Sequence, residues 1–391
     1  MDFDLNPEQL AFAEEVEQFL DEYDDPSVFD LSRENLQLVD TPERRAFLGS
    51  LAARGWLGLT WPKDWGGREA DEISEWILNE ALAYRGAPQT GKGVGIIGKT
   101  ILAHGSEYLK AKFLPKVMAG EIEFAIGYSE PDAGSDVGSL RLRAEREGDG
   151  WLLNGQKTWT TSAHFADWYW VAARTDPDDK HGGITLFLVP MDAPGITVRG
   201  IWTMGGERTN DVFLDNVFVP DDHVVGDVGR GFQYMSEALD LERFNLFMFS
   251  PLRQRLDLLT EFVGTATRDD VPLRHDPMVC RRLAQLHTEA EVARLLAVRF
   301  VAAATAGGTP PTVEASEYKL YATGVSQRLA DATMDLAAPG SQLRMGTSDA
   351  PLDGRAESTY RFTVLETIGA GTSEIQKNII ARRKLGLPKN F

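Results

Sequence analysis

A carboxylate on the apolar side of a predicted helix is the first candidate for chemistry in this sequence. Glu242 falls in a row with Met235, Leu239, Leu246 and Phe249, at the i, i+4, i+7 spacing of a helix. A carboxylate that faces a core is costly unless it is paired, protonated or functional. Burial would also raise its pKa, which suits a general base working near neutral pH. A structural alternative stays open, in which Glu242 reaches the surface or pairs with an arginine.

Two further segments combine hydroxyl groups, glycines and an aromatic ring. Residues 127–136 (GYSEPDAGSD) offer hydroxyls and two glycines, which suit close approach to a pyrophosphate or to the edge of a flavin. Residues 154–161 (NGQKTWTT) predict a hairpin with Asn154 and Gly155 at its turn. Trp159 could lie against a planar ring system. Each segment also has a plain structural interpretation, as a polar loop and as a hairpin with a core tryptophan.

A glycine-rich approach to a helix lies near the C-terminal end. Residues 368–376 (IGAGTSEIQ) place Thr372 or Ser373 at the start of a predicted helix, with Glu374 in its first turn. The N-terminus of a helix is a ready anion site, although the same residues serve equally well as a helix cap. No histidine has a partner at metal-ligand spacing, so no metal site is predicted.

The period of the hydrophobic pattern, which predicts the elements that must position these residues, changes twice along the chain. Residues 1–122 have helical periodicity, residues 123–231 alternate with a period of two, and residues 232–391 return to the helical period. This order, without βαβ alternation, predicts an α+β multidomain protein with a middle β-barrel or sandwich rather than a doubly wound sheet. Long C-terminal helices are predicted at 235–259, 278–306 and 316–336.

Composition narrows the classes of partner. The 391 residues carry a formal net charge of −19, with 43% hydrophobic and 25% charged residues. The mixture is ordinary for a globular protein, and the acidity disfavours nucleic acid, because phosphate binding needs clustered Lys and Arg. We expect no signal peptide, and no apolar run is long enough to span a membrane. The single cysteine, Cys280, allows no internal disulfide, and we expect a cytoplasmic location.

Taken in order, five sequence elements resemble the acyl-CoA dehydrogenase family along nearly the whole chain. The family has an N-terminal Gly-Trp…Pro…Gly-Gly element, three elements in its β-domain and a C-terminal Gly-Thr-x-Glu/Gln-Ile-Gln element. In this sequence they are Gly55-Trp56 with Pro62 and Gly66-Gly67, Ser129–Asp136, Asn154–Thr161 with Thr160 in place of isoleucine, Leu214–Pro220, and Gly371–Gln376. Each match is modest, but five in this order are very specific.

The resemblance implies a cofactor, a reaction and partners. FAD would lie between the β-domain and C-terminal helices that are similar to a four-helix bundle. A base would remove the α-proton of an acyl-CoA thioester while the flavin takes the β-hydride. Electrons would pass to an electron-transfer flavoprotein, and a homotetramer is expected. The residues implied by position are Tyr128, Ser129, Gly134, Ser135, Trp159, Thr160, Thr161, Thr372, Ser373 and Glu374 for the cofactor, with Ser135 and Gly371 near the substrate.

Two departures from the family pattern bear on these roles. Many members carry the base directly before the last Gly-Thr, but Ala370 occupies that position and cannot take a proton. A minority, similar to isovaleryl-CoA and long-chain dehydrogenases, carry it in a Leu-Glu-Arg element that Glu242 and Arg243 match. The resemblance therefore makes Glu242 the base, with Asp240 and Arg243 as candidates for substrate contact. The Arg-x-x-Phe-Gly element that usually holds the FAD of a neighbouring subunit is missing, which leaves Arg268 as the nearby candidate.

Other functions in the same family stay open. The chain also resembles actinobacterial-type relatives that oxidise steroid side-chain thioesters as α2β2 assemblies, in which one partner carries the base. The segments that carry this resemblance are Gly127–Pro131 and Leu385–Pro388. The alternatives to an active dehydrogenase are a flavin-binding partner subunit of such an assembly and an acyl-CoA oxidase. The sequence does not reveal whether the acyl group is straight, branched or polycyclic.

Overall fold

The N-terminal part of the protein is helical. The computed structural model describes residues 4–23, 25–33, 38–246, 248–306 and 311–388, without the side chains of Arg33 and of residues 240–246. Three helices begin at the caps Thr41, Asp71 and Ser106, whose side-chain oxygens accept an N–H of the first turn. The elements are α1 (Pro7–Tyr23), α2 (Pro42–Ala53), α3 (Glu72–Arg85), a π-helical segment (Gly93–Gly98), α4 (Lys99–His104) and α5 (Glu107–Met118).

An eight-stranded sheet forms the middle of the protein. Its strands are β1 (Phe124–Gly127), β2 (Arg143–Glu147), β3 (Gly150–Lys157), β4 (Trp168–Arg174), β5 (Ile184–Pro190), β6 (Ile196–Trp202), β7 (Arg208–Pro220) and β8 (Val224–Val225). Their order is β6-β7-β3-β2-β4-β5-β8, with β1 beside β4. The strands β1 and β2 run parallel to β4, and the remaining pairs of this sheet are antiparallel.

The central strand β4 is buried on both faces. Successive side chains of a strand point to opposite sides, so alternate residues of β4 enter two different cores. Trp170 and Ala172 pack with the N-terminal helices, whereas Tyr169 and Val171 pack into a second core within the β-domain. That second core includes side chains of β3 and β7, so the sheet encloses an apolar interior. The predicted β-barrel or sandwich is confirmed in this respect.

The C-terminal part is again helical and has its own core. Side chains of α7, α8 and α9 form that core, and α10 and α11 pack on α9. Within the described ranges, no helix is both long and apolar enough to cross a membrane. The elements are α6 (Gly231–Leu246), α7 (Ser250–Thr265), a hairpin of β9 (Thr267–Arg268) and β10 (Val271–Pro272), α8 (Pro277–Thr305), α9 (Thr312–Leu336), α10 (Arg355–Glu366) and α11 (Ser373–Ile379).

The hairpin predicted at Asn154 and Gly155 is wrong. Both residues lie inside β3, which continues along β7 with a one-residue shift of register at this point. Gly155 has a φ of +145°, and the Asn154 side chain accepts the N–H of Asn216 at 2.8 Å. The Asn-Gly pair therefore forms a β-bulge, and the turn between β2 and β3 contains Gly148 at a φ of +57°.

The single helix predicted over residues 235–259 is also wrong, because α6 ends and α7 begins within it. Pro251 occupies the first turn of α7, where a proline is tolerated. Glu80 of α3 accepts the N–H groups of Phe249 and Ser250 at 2.8 and 2.6 Å. Burial raises the pKa of this carboxyl group. The new helix is thus capped by a side chain from the N-terminal domain.

Candidate active site

A buried ion pair joins the two segments that the sequence predicts to carry chemistry. The fully buried Lys157 ammonium donates to the Glu130 carboxylate at 2.8 Å and to the Tyr128 carbonyl oxygen at 3.1 Å. The same carboxylate accepts the N–H groups of Arg141 and Leu142 at 2.6 and 2.8 Å. Burial lowers the pKa of Lys157 to about 8, against the attraction of Glu130. The pair fixes the loop that follows β1 against the end of β3.

Tyr128 belongs to the packing of this region. Its side chain is only 9% exposed, and its hydroxyl accepts the Trp170 indole N–H at 2.8 Å. Gly127 lies against Tyr169 so closely that a Cβ at this position would come within 2.2 Å of the hydroxyl oxygen. A ligand could therefore meet Tyr128 mainly through its backbone.

The turn after β3 alternates between outward and inward residues. Trp159 has a left-handed φ of +58° and is 60% exposed, so it is not a core tryptophan. Thr160 is fully buried, and its hydroxyl lies 3.2 Å from that of Tyr169. Thr161 is half-buried, and its hydroxyl bonds to none of the described residues. Thr160, which replaces the family's isoleucine, is thus turned inward and does not offer its hydroxyl to a ligand.

The outer part of the loop after β1 is open. Gly134 and Ser135 are exposed, and a Cβ on Gly134 would meet no atom within 4 Å. Ser129 lies beside the turn after β3, because its carbonyl oxygen accepts the N–H of Thr158 at 2.9 Å. This side of the β-domain therefore leaves room for a ligand next to Trp159.

A second polar cluster surrounds Ala370. Lys319, only 2% exposed, donates to the carbonyl oxygens of Gly369 and Gly371. The amide of Gln376 donates to the carbonyl oxygens of Ala370 and Gly371 at 3.3 and 2.9 Å. These bonds hold Ala370 and Gly371 at left-handed φ angles of +50° and +91°. The N–H groups of Ala370 and Gly371 have no acceptor in the part of the chain that the structure describes.

The predicted helix cap at the start of α11 is confirmed. The Thr372 side chain accepts the N–H of Ile375 at 3.3 Å, and the helix begins at Ser373. Glu374 is exposed in the first turn. The Thr372 hydroxyl therefore stabilises the helix, while the side chains of Ser373 and Glu374 form no hydrogen bond to a described residue.

Helix α6 lies at the junction of the three domains. It packs against β5 of the middle domain, the π-helical segment of the N-terminal domain and α9 of the C-terminal domain. Glu237 on this helix contacts His104 of α4 at 2.6 Å. Asp240, Glu242 and Arg243 follow on its later turns, and their side chains lie outside the described residues. The backbone thus places the helix that carries the predicted base at the junction of the domains.

Arg268 is held within its own chain. Its hairpin turns at Asp269 and Asp270, with left-handed φ angles of +51° and +64°. The guanidinium donates to the carbonyl oxygens of Asp335 and Leu336 at 3.0 and 3.1 Å. These carbonyls end α9, where the helix dipole favours a positive charge. Arg268 therefore caps a helix of this domain.

The open groups fit the FAD that the sequence resemblance implies. A flavin needs a flat apolar neighbour and hydrogen-bond donors, and its pyrophosphate needs hydroxyl or N–H groups. Trp159 offers an exposed aromatic face, and the hydroxyls of Ser129 and Thr161 have no partner among the described residues. The buried Oε1 atom of Gln376 also lacks a described partner. The structure brings the β-domain residues together and the C-terminal residues together, without a described hydrogen bond between the two groups.

Sequence reasoning missed the residues that hold these groups in place. Glu130 and Lys157 have opposite charges, and each lies inside one of the two motif segments. Because both segments were expected at one site, the sequence contained a usable signal for this pair. Lys319 lies on a buried helix row with Ala315 and Thr323, four residues away on either side. The small and polar residues of this row form no apolar stripe in the sequence, so only the structure reveals that Lys319 is buried.

Comparisons with known proteins cover all three domains. Family models described as acyl-CoA dehydrogenase N-terminal, middle and C-terminal domains match residues 6–121, 125–217 and 229–385. Acyl-CoA dehydrogenase FadE26 of Mycobacterium tuberculosis is 33% identical over 375 residues, which cover 89% of this chain and 93% of that protein. The solved structure of the Tcur3481-Tcur3483 steroid ACAD has a TM-score of 0.90 at 30% identity, and the ChsE4-ChsE5 complex from Mycobacterium tuberculosis has 0.88 at 30%, each covering 100% of both chains. Each domain of the structure thus has a counterpart in proteins of known class.

Proposed function

Because the chain belongs to the acyl-CoA dehydrogenase family, we propose that it converts an acyl-CoA thioester to the trans-2-enoyl-CoA with Glu242 as the base. It is a flavin-dependent oxidoreductase with FAD as its cofactor. The observation that carries the proposed base is the position of α6, which contacts all three domains. The other position used for a base in this family holds Ala370, which has no proton acceptor.

The chain's own residues have three tasks in this reaction. Glu242 accepts the proton from the α-carbon, and bound FAD supplies the hydride acceptor for the β-carbon. The N–H of Gly371 has no acceptor among the described residues, so we assign it to the thioester carbonyl oxygen. A donor at that oxygen stabilises the charge that develops when the α-proton leaves. Asp240 and Arg243 lie on the same helix as the base and contact the substrate in this proposal.

We assign the cofactor to two surfaces, one on the middle domain and one on the C-terminal domain. The β-domain contributes an aromatic face, hydroxyls and a glycine with open space beside it. The C-terminal domain contributes the residues around the start of α11. The residues assigned to the first surface are Tyr128, Ser129, Gly134, Ser135, Trp159, Thr160 and Thr161, and those assigned to the second are Thr372, Ser373 and Glu374. Tyr128 acts through its backbone, Thr160 holds the turn between Trp159 and Thr161, and Ser135 also contacts the CoA portion.

Anaerobic bleaching of the flavin by acyl-CoA tests the assignment of the base. Glu242→Gln should keep FAD bound and lose bleaching, because the amide cannot take the α-proton. Glu237→Gln is a matched control, since Glu237 lies on the same helix and contacts His104 at its surface. Bleaching at the wild-type rate in Glu242→Gln, with the control also unchanged, would rule Glu242 out.

We also propose an acyl group bulkier than a straight chain and an assembly with a related subunit. Two solved relatives carry steroid ACAD or two-chain names, which motivates both statements. Arg268 supports the second, because it bonds to Asp335 and Leu336 of its own chain rather than extending outward. Co-expression with candidate partner chains, scored with straight, branched and polycyclic acyl-CoAs, tests both. A stoichiometric yellow homotetramer of this chain alone would contradict the mixed assembly.

Electron-transfer flavoprotein is the proposed acceptor of the electrons, and the cytoplasm the proposed location. Rapid production of peroxide in air, with poor transfer to a dye or to electron-transfer flavoprotein, would identify an acyl-CoA oxidase instead.

A further inference from the structure

The turn that carries Trp159 contains one residue more than the strand ladder allows. The strands β3 and β7 pair as far as Lys157, which lies opposite Val212. In that register Asn210 would face Trp159. Instead, the N–H of Thr160 donates to the Asn210 carbonyl oxygen at 2.9 Å. The extra residue is Trp159, whose left-handed φ of +58° turns it out of the ladder, as in a β-bulge.

The side chain of Asn210 completes this link to Thr160. Its amide nitrogen donates to the Thr160 carbonyl oxygen at 2.9 Å. Asn210 is fully buried, so both backbone groups of Thr160 are tied to a residue that solvent cannot reach. A strained, non-glycine residue such as Trp159 persists only where its surroundings over-determine its conformation. The two bonds to Thr160 provide that constraint on one side of Trp159.

Two neighbours determine which way the Asn210 amide points. Its oxygen accepts the Nε–H of Arg208 at 3.1 Å, and its nitrogen lies 3.2 Å from Nδ1 of His164. A flipped amide would place its NH2 group against Arg208 and its oxygen against the Thr160 carbonyl. The observed orientation requires His164 Nδ1 to be an acceptor. Burial and the charge of Arg208 lower the pKa of His164, whereas Asp40 raises it to a smaller extent. The lowered pKa favours the neutral ring, whose Nδ1 can accept a hydrogen bond.

Arg208 and His164 reach Asn210 from an open crevice. This crevice has a volume of about 700 Å³, and Asp167 and Asp192 also line it. Asp167 is already bonded to Arg45 at 3.1 Å. Substitutions at the crevice wall can therefore disturb the amide of Asn210 without removing a core side chain.

We propose that Asn210 is a positioning residue for the cofactor, because it holds Thr160 inward and so presents Trp159 and Thr161 to the flavin. The inference rests on the proposed contact between this turn and FAD. Asn210 itself is buried behind the turn and acts only through Thr160.

Titration of the apoprotein with FAD, together with the absorption spectrum of the bound flavin, tests the proposal. Asn210→Asp replaces the donor facing the Thr160 carbonyl by an acceptor. We expect the Kd for FAD to rise by about tenfold, the factor that corresponds to ~1.4 kcal/mol, and the flavin spectrum at saturation to shift. Asn154→Ala is the matched control, because it removes a side chain–backbone bond of 2.8 Å at the other bulge of β3. It should leave both readouts unchanged.

A second pair of variants keeps the test decisive if Asn210→Asp does not fold. Arg208→Leu and His164→Leu each remove one partner of the amide from the crevice side, and each should raise the Kd several-fold with a spectral shift. Trp159→Leu and Thr161→Val test the underlying contact. If these two leave FAD binding unchanged, the proposed cofactor surface is wrong. If they weaken it while the Asn210, Arg208 and His164 variants bind FAD normally, the positioning role is overturned.

Discussion

Replacement of Glu130 by glutamine tests whether this carboxylate keeps the buried Lys157 protonated in the folded protein. Because the pKa of Lys157 is about 8, release of its proton at pH 7 costs on the order of 1 kcal/mol. The glutamine also presents an NH2 group where the carboxylate accepts the N–H of Arg141 or Leu142. One buried donor left without an acceptor costs about 1–3 kcal/mol. We therefore expect Glu130→Gln to lower the free energy of unfolding by about 2–4 kcal/mol at pH 7.

The same variant should lose less stability at pH 9. The folded state binds the Lys157 proton less tightly than the unfolded chain, so stability rises with pH above the folded-state pKa. In wild type this rise begins near pH 8, whereas in Glu130→Gln it begins at a lower pH, because the carboxylate that raises the pKa of Lys157 is gone. The difference between the two proteins should therefore shrink by on the order of 1 kcal/mol between pH 7 and pH 9.

Urea unfolding of the apoprotein and the FAD-bound protein at both pH values measures this difference. Glu366→Gln is the matched control, since Glu366 and Arg255 form an ion pair at 3.0 Å with side chains 6% and 5% exposed. Arginine stays charged at both pH values, so this loss, on the order of 3–5 kcal/mol, should not change with pH. A Glu130→Gln penalty that is below 1 kcal/mol, or equal at pH 7 and pH 9, would refute the reasoning about Lys157.

Three further predictions follow from contacts outside that pair. Glu80→Leu removes the acceptor of two N–H groups at the start of α7 and should lower the free energy of unfolding by urea by about 2–4 kcal/mol. Glu80→Gln keeps one acceptor, so its loss should be smaller. Equal losses in the two variants would contradict the capping role. The affinity for FAD should be retained above the lowered pKa of His164 and should fall as the pH drops through that pKa, because the protonated ring can no longer accept a hydrogen bond from Asn210. FAD titrations between pH 7 and pH 5 measure this pH dependence, which His164→Gln should flatten. Arg268→Leu should cost about 1 kcal/mol in unfolding and leave the Kd for FAD unchanged, whereas a tenfold weaker Kd would show that Arg268 reaches the cofactor.

The sequence alone determined the order of the three domains and the segments of the site. Hydrophobic period and helix caps are local properties, so the strands around Trp168 and the helix that begins at Ser373 followed from nearby residues. Motif order then predicted the family, and the family models match all three domains. The base was inferred from Glu242 on an apolar row together with Ala370 at the alternative position, and that assignment stays a prediction.

Tertiary structure decided how these segments are held. An Asn-Gly pair is typical of a hairpin turn, but at Asn154 and Gly155 pairing with β7 made it a bulge. The apolar row through Glu242 suggested one long helix, but Glu80, far away in the sequence, caps a new helix within it. Such contacts depend on where distant side chains meet, which no local period encodes. Trp159 depends on both the sequence and the tertiary structure. Its segment could be recognised from the sequence, but its exposure depends on a hydrogen bond between Thr160 and Asn210, 50 residues later in the chain.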